Sequence, residues 1–289
     1  MLRSQGVSLR RLLVMGVVAV LLCGCGGGSG ISATFVTARR PTPHPRRNTL
    51  RLLQWNVLQG ATDGRATAVA ALIRDLKPDV VTLDEVNVQS VFDQIASTTG
   101  MYGYWVQAND AYSVGILSRV PLHNCTPYRQ APIKHAAYSC RVKLGNQDWW
   151  IFGGHLAPGN SQEARRAQEA ALLISKMNLH PRRPVVLAGD LNSHTPGEPD
   201  PLPTMLVIPE LRQAGYIDSF RQLHPLAKNP GFTISAPPYG NWEARIDYVF
   251  HSKLARAKSA KVITSVPGYQ WPSDHAALLV TLAPLRRHP

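Results

Sequence analysis

From Leu50 onward, short apolar runs alternate with stretches whose apolar residues recur every three or four positions, a rhythm that predicts strands interleaved with amphipathic helices. Residues 50–57 read as a first strand. Asp63 is placed to cap a helix with Val69, Leu72, Ile73 and Leu76 on one face, and Lys77-Pro78 stops it. A strand over 80–83 and a helix over 88–97 follow. Residues 102–106, 114–118, 137–144 and 149–153 then read as successive strands without room for long helices between them, which favours antiparallel neighbours. Ser161 opens a helix carrying Ala167, Ala170, Ala171, Ile174 and Met177, and residues 184–188 form the next strand. Later strands are expected at 232–234, 245–250, 260–265 and 276–282. Because strands outnumber crossover helices, the pattern predicts an α/β (α+β) chain with two sheets face to face and helices outside.

The first 48 residues follow no such rhythm. Arg3, Arg10 and Arg11 precede an apolar run over residues 12–22 that ends in Cys23-Gly24-Cys25-Gly26. This run is too short for a bilayer core, which needs about 20 helical residues, so residues 1–24 read as a signal peptide and the protein as exported. Leu22-Cys23-Gly24-Cys25 resembles a bacterial lipoprotein signal, with Cys25 the residue to be acylated and anchored in the outward face of the membrane; ordinary cleavage would release a secreted enzyme. Residues 25–48, Gly-rich and then Pro/Arg-rich, read as a flexible basic tether, and residues 49–286 as one catalytic domain, expected to be monomeric.

The charge is lopsided: 31 Lys and Arg stand against 18 Asp and Glu, a net +13. Cleavage after residue 24 removes three Arg and no acid, leaving 28 basic residues against 18 acidic ones, or +10. Such a balance favours polyanionic partners such as nucleic acid, anionic lipid head groups or acidic wall polymers, although scattered basic residues serve solubility equally well. Export also makes a disulfide between Cys125 and Cys140 chemically permissible, with two buried thiols the other reading. Closing that short segment would contribute roughly 3 kcal/mol.

Polar residues stand at the ends of six apolar runs: Asn56, Glu85, His155, the unit Gly189-Asp190-Leu191-Asn192, the unit Arg245-Ile246-Asp247-Tyr248, and Ser273-Asp274-His275. A rigid strand end can present a side chain into a cleft while the strand stays buried. Singly, each reads as readily as a turn former or a structural histidine.

In their order and spacing, and with Gly115-Ile116-Leu117-Ser118-Arg119 as a strand motif, these residues resemble the endonuclease/exonuclease/phosphatase superfamily from Leu50 almost to the C-terminus. The resemblance implies a deoxyribonuclease I-like, four-layer α/β/β/α sandwich with two mainly antiparallel central sheets and an active site at one edge. It implies divalent-metal-dependent hydrolysis of phosphoric esters, in which an anionic phosphodiester needs a cation, a positioned water and help for the departing oxygen. Glu85 is then the leading ligand for Mg2+ or Mn2+, with Asn56 and Asp274 completing or supporting the site. Asp190 would orient or deprotonate the water, Asn192 would bind a phosphate oxygen, and Asp247 would orient His275 toward the scissile phosphate. His155 would stabilise the leaving group, with general-acid assistance as its expected part. Asp84 departs from the Gln usual before the metal-binding Glu, and would either strengthen cation binding or face solvent.

Such motifs fix the reaction type better than the substrate. Asp247 and Asp274 are too close in sequence for the long aromatic hairpin of bacterial sphingomyelinases, and the Cys- and Arg-containing signature of inositol-polyphosphate phosphatases is missing around residues 245–249. Tyr269 and Trp271 would stack on a base or, more simply, close the core. A nuclease acting outside the cytoplasm is therefore the first expectation; a sphingomyelinase-like phospholipid phosphodiesterase or a phosphoinositide phosphatase comes second. A noncatalytic binding protein of the same fold comes last, because the catalytic groups are all present.

Overall fold

The computed structural model describes residues 33–36, 48–198, 205–236 and 240–285. The signal-peptide reading of residues 1–24 and the acylation reading of Cys25 lie outside the described residues. A seven-stranded sheet runs in the order β1 (Ala33–Val36), β4 (Tyr102–Val106), β5 (Val114–Ser118), β3 (Val80–Asp84), β2 (Leu50–Asn56), β15 (Ala277–Pro284), β14 (Ala255–Ile263). A six-stranded sheet runs β10 (Ile217–Asp218), β13 (Asp247–His251), β9 (Val185–Asp190), β8 (Gln147–His155), β7 (Ala136–Leu144), β6 (Leu122–Tyr128). Within these sheets only β2 with β3 and β8 with β9 pair in parallel. A small ribbon, β11 (Ile234–Ala236) with β12 (Asn241–Ala244), lies beside them.

Three apolar clusters define four layers. Between the sheets Leu50, Ile116, Tyr138, Trp149, Val186 and Val280 interlock. Outside the first sheet, α1 (Arg65–Leu76) and α2 (Gln89–Thr99) cover Leu53, Trp55 and Val81. Outside the second, α3 (Glu163–Met177) and α4 (Val207–Gln213) cover Phe152, Leu187 and Phe250. The α/β/β/α sandwich is thus built as its alternation of periods required. The ring of Phe92 lies so close to β5 that a Cβ on Gly115 would meet it at 2.6 Å.

Several boundaries differ from expectation. The stretch read as a tether contains β1, which extends the first sheet by pairing with β4. Gly64, at φ 80°, rather than Asp63, precedes the first helix, and Asp63 makes no cap bond. The third helix starts at Glu163, after a tight turn over Asn160–Gln162. Cys125 on β6 and Cys140 on β7 are bonded, tying an edge strand to its neighbour.

His251, at the end of β13, is fully buried, with Nδ1 2.9 Å from Ser219 Oγ. Burial pushes its pKa down from 6.5 to about 4. The unfolded chain therefore takes up this proton first as the pH falls, so the stability is intact above about 6.5 and is lost by about 4. Urea denaturation between these values is expected to show a loss of about 3 kcal/mol that His251→Gln does not suffer. Equal pH slopes in the two proteins would refute that reading.

Candidate active site

The eight residues named from the six motifs meet at one edge of the sandwich. Local hydrogen bonds bring them there. Ser273 Oγ donates to the Asn56 carbonyl at 2.7 Å and accepts the His275 N–H at 3.0 Å, pinning the Ser273-Asp274-His275 loop to the end of β2. The indole N–H groups of Trp55 and Trp271 both donate to the His275 carbonyl, at 3.1 and 3.0 Å, while their rings lie 4.9 Å apart. On the second sheet, Gly189 lets β9 approach β8, since a Cβ there would stand 2.0 Å from the Gly154 carbonyl oxygen. That approach sets Asp190 beside His155.

Asn56 is the central link. Its Nδ2 donates to Glu85 Oε1 and to Asp190 Oδ2, both at 3.1 Å, and its Oδ1 accepts the Leu58 N–H. Asp190 Oδ2 lies 3.5 Å from His155 Nε2 and 3.8 Å from His275 Nε2. Asp190 Oδ1 accepts the Asn192 N–H at 2.9 Å. Asp247 Oδ2 stands 2.8 Å from His275 Nδ1, and Asp274 Oδ1 3.9 Å from His275 Nε2. Glu85 and Asn192 both hold positive φ, 58° and 47°, unusual for side-chain-bearing residues and typical of functional loops.

Asp84 does not face solvent. It is buried, and its Oδ2 accepts Gln54 Nε2 at 2.6 Å and the Asp190 N–H at 2.8 Å, stitching the two sheets together beneath the site. The cause is its place on β3, where it faces the interior between the sheets rather than solvent.

Five carboxylates, from Asp84, Glu85, Asp190, Asp247 and Asp274, thus crowd one place. Burial, then Asp190, raises Asp84 well above the ordinary range. Burial and Asp247 push Asp190 up to about 7, although His275 draws it back. Burial alone would lower His275, but Asp247, Asp190 and Asp274 outweigh it and hold the imidazole up at about 10, protonated at neutral pH. His155 behaves oppositely: burial, His135 and His275 all push it well below the ordinary value. Asn192 Nδ2 donates to the Leu156 carbonyl at 3.1 Å, which orients the amide, and stands 2.9 Å from His155 Nε2. His155 Nε2 is therefore an acceptor and its hydrogen sits on Nδ1. As built, His155 holds Asn192, and the charged imidazole of the pair is His275.

So much negative charge around one imidazolium suits a divalent cation, and oxygen donors suit a hard one. Donor atoms of Asp190, Asp247 and His275 lie within 4.8 Å of one another, a trio that could hold a metal ion if His275 gave up its proton. Half-buried Glu85 accepts one hydrogen bond at each oxygen, from Asn56 and from the Gln59 N–H at 2.8 Å, and keeps lone pairs on both. A groove of about 410 Å³ runs beside the cluster, lined by Leu58, Arg65, Tyr269 and Ser273. Of the two aromatics there, Trp271 packs into the core against Trp55, whereas Tyr269 is 46% exposed. His135, whose ring adjoins that of His155, and its partner Asp110 lie outside the six motifs; neither closes an apolar run, so nothing in the sequence pattern marks them.

A family model described as the Endonuclease/Exonuclease/phosphatase family matches residues 53–275. Comparison with curated proteins gives no match. Among solved structures, the human Nocturnin catalytic domain with bound sulfate superposes with a TM-score of 0.65 at 20% identity, covering 87% of this chain and 97% of that one. D. rerio TDP2 complexed with single strand DNA product gives 0.65 at 19% identity, over 81% of this chain and 99% of that one. An endonuclease/exonuclease/phosphatase protein from Beutenbergia cavernae gives 0.64 at 20%, over 83% and 72%. At these identities the likeness is one of fold.

Proposed function

The chain belongs to the endonuclease/exonuclease/phosphatase family, whose enzymes hydrolyse phosphoric esters with divalent metals, and on that premise we propose that it is an extracytoplasmic, DNase-like nuclease. The observation that carries the reading is the convergence of Asn56, Glu85, His155, Asp190, Asn192, Asp247, Asp274 and His275 on one edge of the fold.

In this reading Asp190, its carboxylate made more basic by burial and by Asp247, takes the proton of the attacking water. Asn192 would turn to a phosphate oxygen one of the two amide hydrogens it otherwise gives to Leu156 and His155, and His275, kept charged by Asp247, offers its Nε2 hydrogen to another. His155, with its Nε2 3.5 Å from Asp190 Oδ2, would line the same phosphate, and in its neutral Nδ1–H form it positions Asn192 rather than protonating the departing oxygen. Glu85 would hold Mg2+ or Mn2+, supported by Asn56 and Asp274. Such a cation neutralises the phosphoryl oxygens and the developing charge on the leaving oxygen.

The substrate follows from charge. A balance of +10 after loss of residues 1–24 favours a polyanionic backbone through Coulombic attraction and counterion release. Exposed Tyr269 beside Arg65 in the adjoining groove offers a ring for a base and a guanidinium for a phosphate. The neighbour crystallised with single strand DNA product fits the same reading. Export, with or without a lipid on Cys25, places the enzyme outside the cytoplasm; among the described residues no helix is long and apolar enough to cross a membrane.

The test is a parallel assay of duplex DNA, single-stranded DNA, RNA, sphingomyelin and phosphoinositides, with and without chelator. Turnover of nucleic acid that chelator abolishes and Mg2+ restores is expected. Selective turnover of lipid would replace the nuclease reading with the phospholipid one.

A further inference from the structure

A third imidazole stands against the site, and none of the six motifs contains it. His135, the residue before β7, is fully buried, and its ring centroid lies 4.6 Å from that of His155. Its Nδ1 is 2.6 Å from Asp110 Oδ2 and 2.8 Å from Oδ1. An ionised carboxylate only accepts, so the hydrogen sits on Nδ1 and Nε2 keeps its lone pair. Burial, which lowers this imidazole's proton affinity against the pull of Asp110, favours that neutral form.

Among the described residues, His135 Nε2 has no hydrogen-bond partner, and neither has His155 Nδ1. The two orphans are complementary. His155 Nδ1 carries a hydrogen because its Nε2 accepts from Asn192, whereas His135 Nε2 carries a lone pair. They sit on adjoining rings, with the Tyr112 ring packed edge-on against both, at 4.9 Å from His135 and 5.8 Å from His155. Buried polar atoms are nearly always paired, and since no direct bond joins these two, a donor and an acceptor on neighbouring rings satisfy each other across one water.

We propose that His135, held by Asp110, is a positioning residue that fixes His155 in the Nδ1–H tautomer, so that Nε2 faces Asn192 and Asp190. The arrangement parallels Asp247 and His275 on the other side of Asp190: a carboxylate orients an imidazole, here with one further ring in between. The consequence for the reaction rests on the phosphoesterase reading above; the tautomer itself does not.

Three variants separate orientation from packing. His135→Phe keeps the ring against Tyr112 and His155 but removes both nitrogens. His135→Gln can donate to Asp110 through its amide nitrogen and offer its oxygen to His155. Asp110→Ala removes the partner at an exposed position, so it tests the proposal even where His135→Phe fails to fold. Two-bond nitrogen–proton spectra of histidine-labelled protein report the His155 tautomer, and steady-state kinetics report turnover. The expected result is Nδ1–H at His155 in wild type and a mixed or Nε2–H form in His135→Phe and Asp110→Ala. With it should come a fall in kcat of about ten- to a hundredfold at a KM within about twofold, and His135→Gln should recover most of both. An unchanged His155 tautomer would overturn the proposal whether or not kcat falls, because a loss of rate alone would then be a packing effect. Absence of any turnover by the wild type would remove the enzymatic reading and leave the spectra to decide the tautomer.

Discussion

Asp190→Asn is expected to slow hydrolysis by a hundred- to ten-thousandfold, roughly the contribution of a positioned general base, while raising the melting temperature. Both effects have one origin. Asp190 sits with Asp84 and Asp247 in a buried space, and burial and then the charge of Asp247 raise the proton affinity of Asp190 itself. That tension makes it a base at neutral pH and also disfavours the folded state, so an uncharged amide of the same shape relieves the strain as it removes the reactivity. Its Oδ1 can still accept the Asn192 N–H, which preserves the loop, and the new amide nitrogen gives up the Asn56 bond but faces the lone pair of His155 Nε2. Kinetics and a thermal melt on the same preparation check both halves; turnover near the wild-type level would remove Asp190 from the mechanism.

Substitution of His275 by Ala should cost about as much in rate, but it should lower stability rather than raise it. His275 is the cation among the five carboxylates, and its loss leaves Asp247 buried without its 2.8 Å partner. Removing one member of a buried pair costs about 3–5 kcal/mol, because the remaining charge is uncompensated. A fall in kcat of about a hundredfold or more is expected from the loss of the charged donor. The opposite movement of stability in the two variants is the sharper test: melting temperatures that shift in the same direction would mean that the cluster's charges are not arranged as described.

The two variants were legible at different depths in the sequence. Strand ends were visible because apolar runs stop abruptly at polar residues, as at Trp55-Asn56 and Ala188-Gly189-Asp190, and the sandwich followed from the excess of strands over helices. What was hidden had weak local signals. β6 is an edge strand with Pro127 and no fully buried side chain, so no alternation marks it. The first half of β14 does alternate, but its inward residues Ala255 and Ala257 are too small to stand out from the Arg and Lys beside them. Asp84 read as a departure from the usual Gln, and its part stayed hidden because a strand-end carboxylate beside Glu85 gives no hint that the Asp190 N–H arrives from the other sheet, 106 residues away in sequence. His135 and Asp110 meet only through tertiary packing, for which linear spacing carries no signature.

The account stands most directly on one arrangement: side chains from both sheets enclosing a single phosphorus and a single cation. Diffraction from crystals of Asp190→Asn grown with Mn2+ and a short DNA oligonucleotide, recorded at the manganese absorption edge, addresses it. The expected map has one anomalous peak bound by Glu85, with a backbone phosphate between His155, Asn192 and His275. A manganese ion bound away from Glu85, or a phosphate seated outside the reach of both imidazoles, would contradict the account.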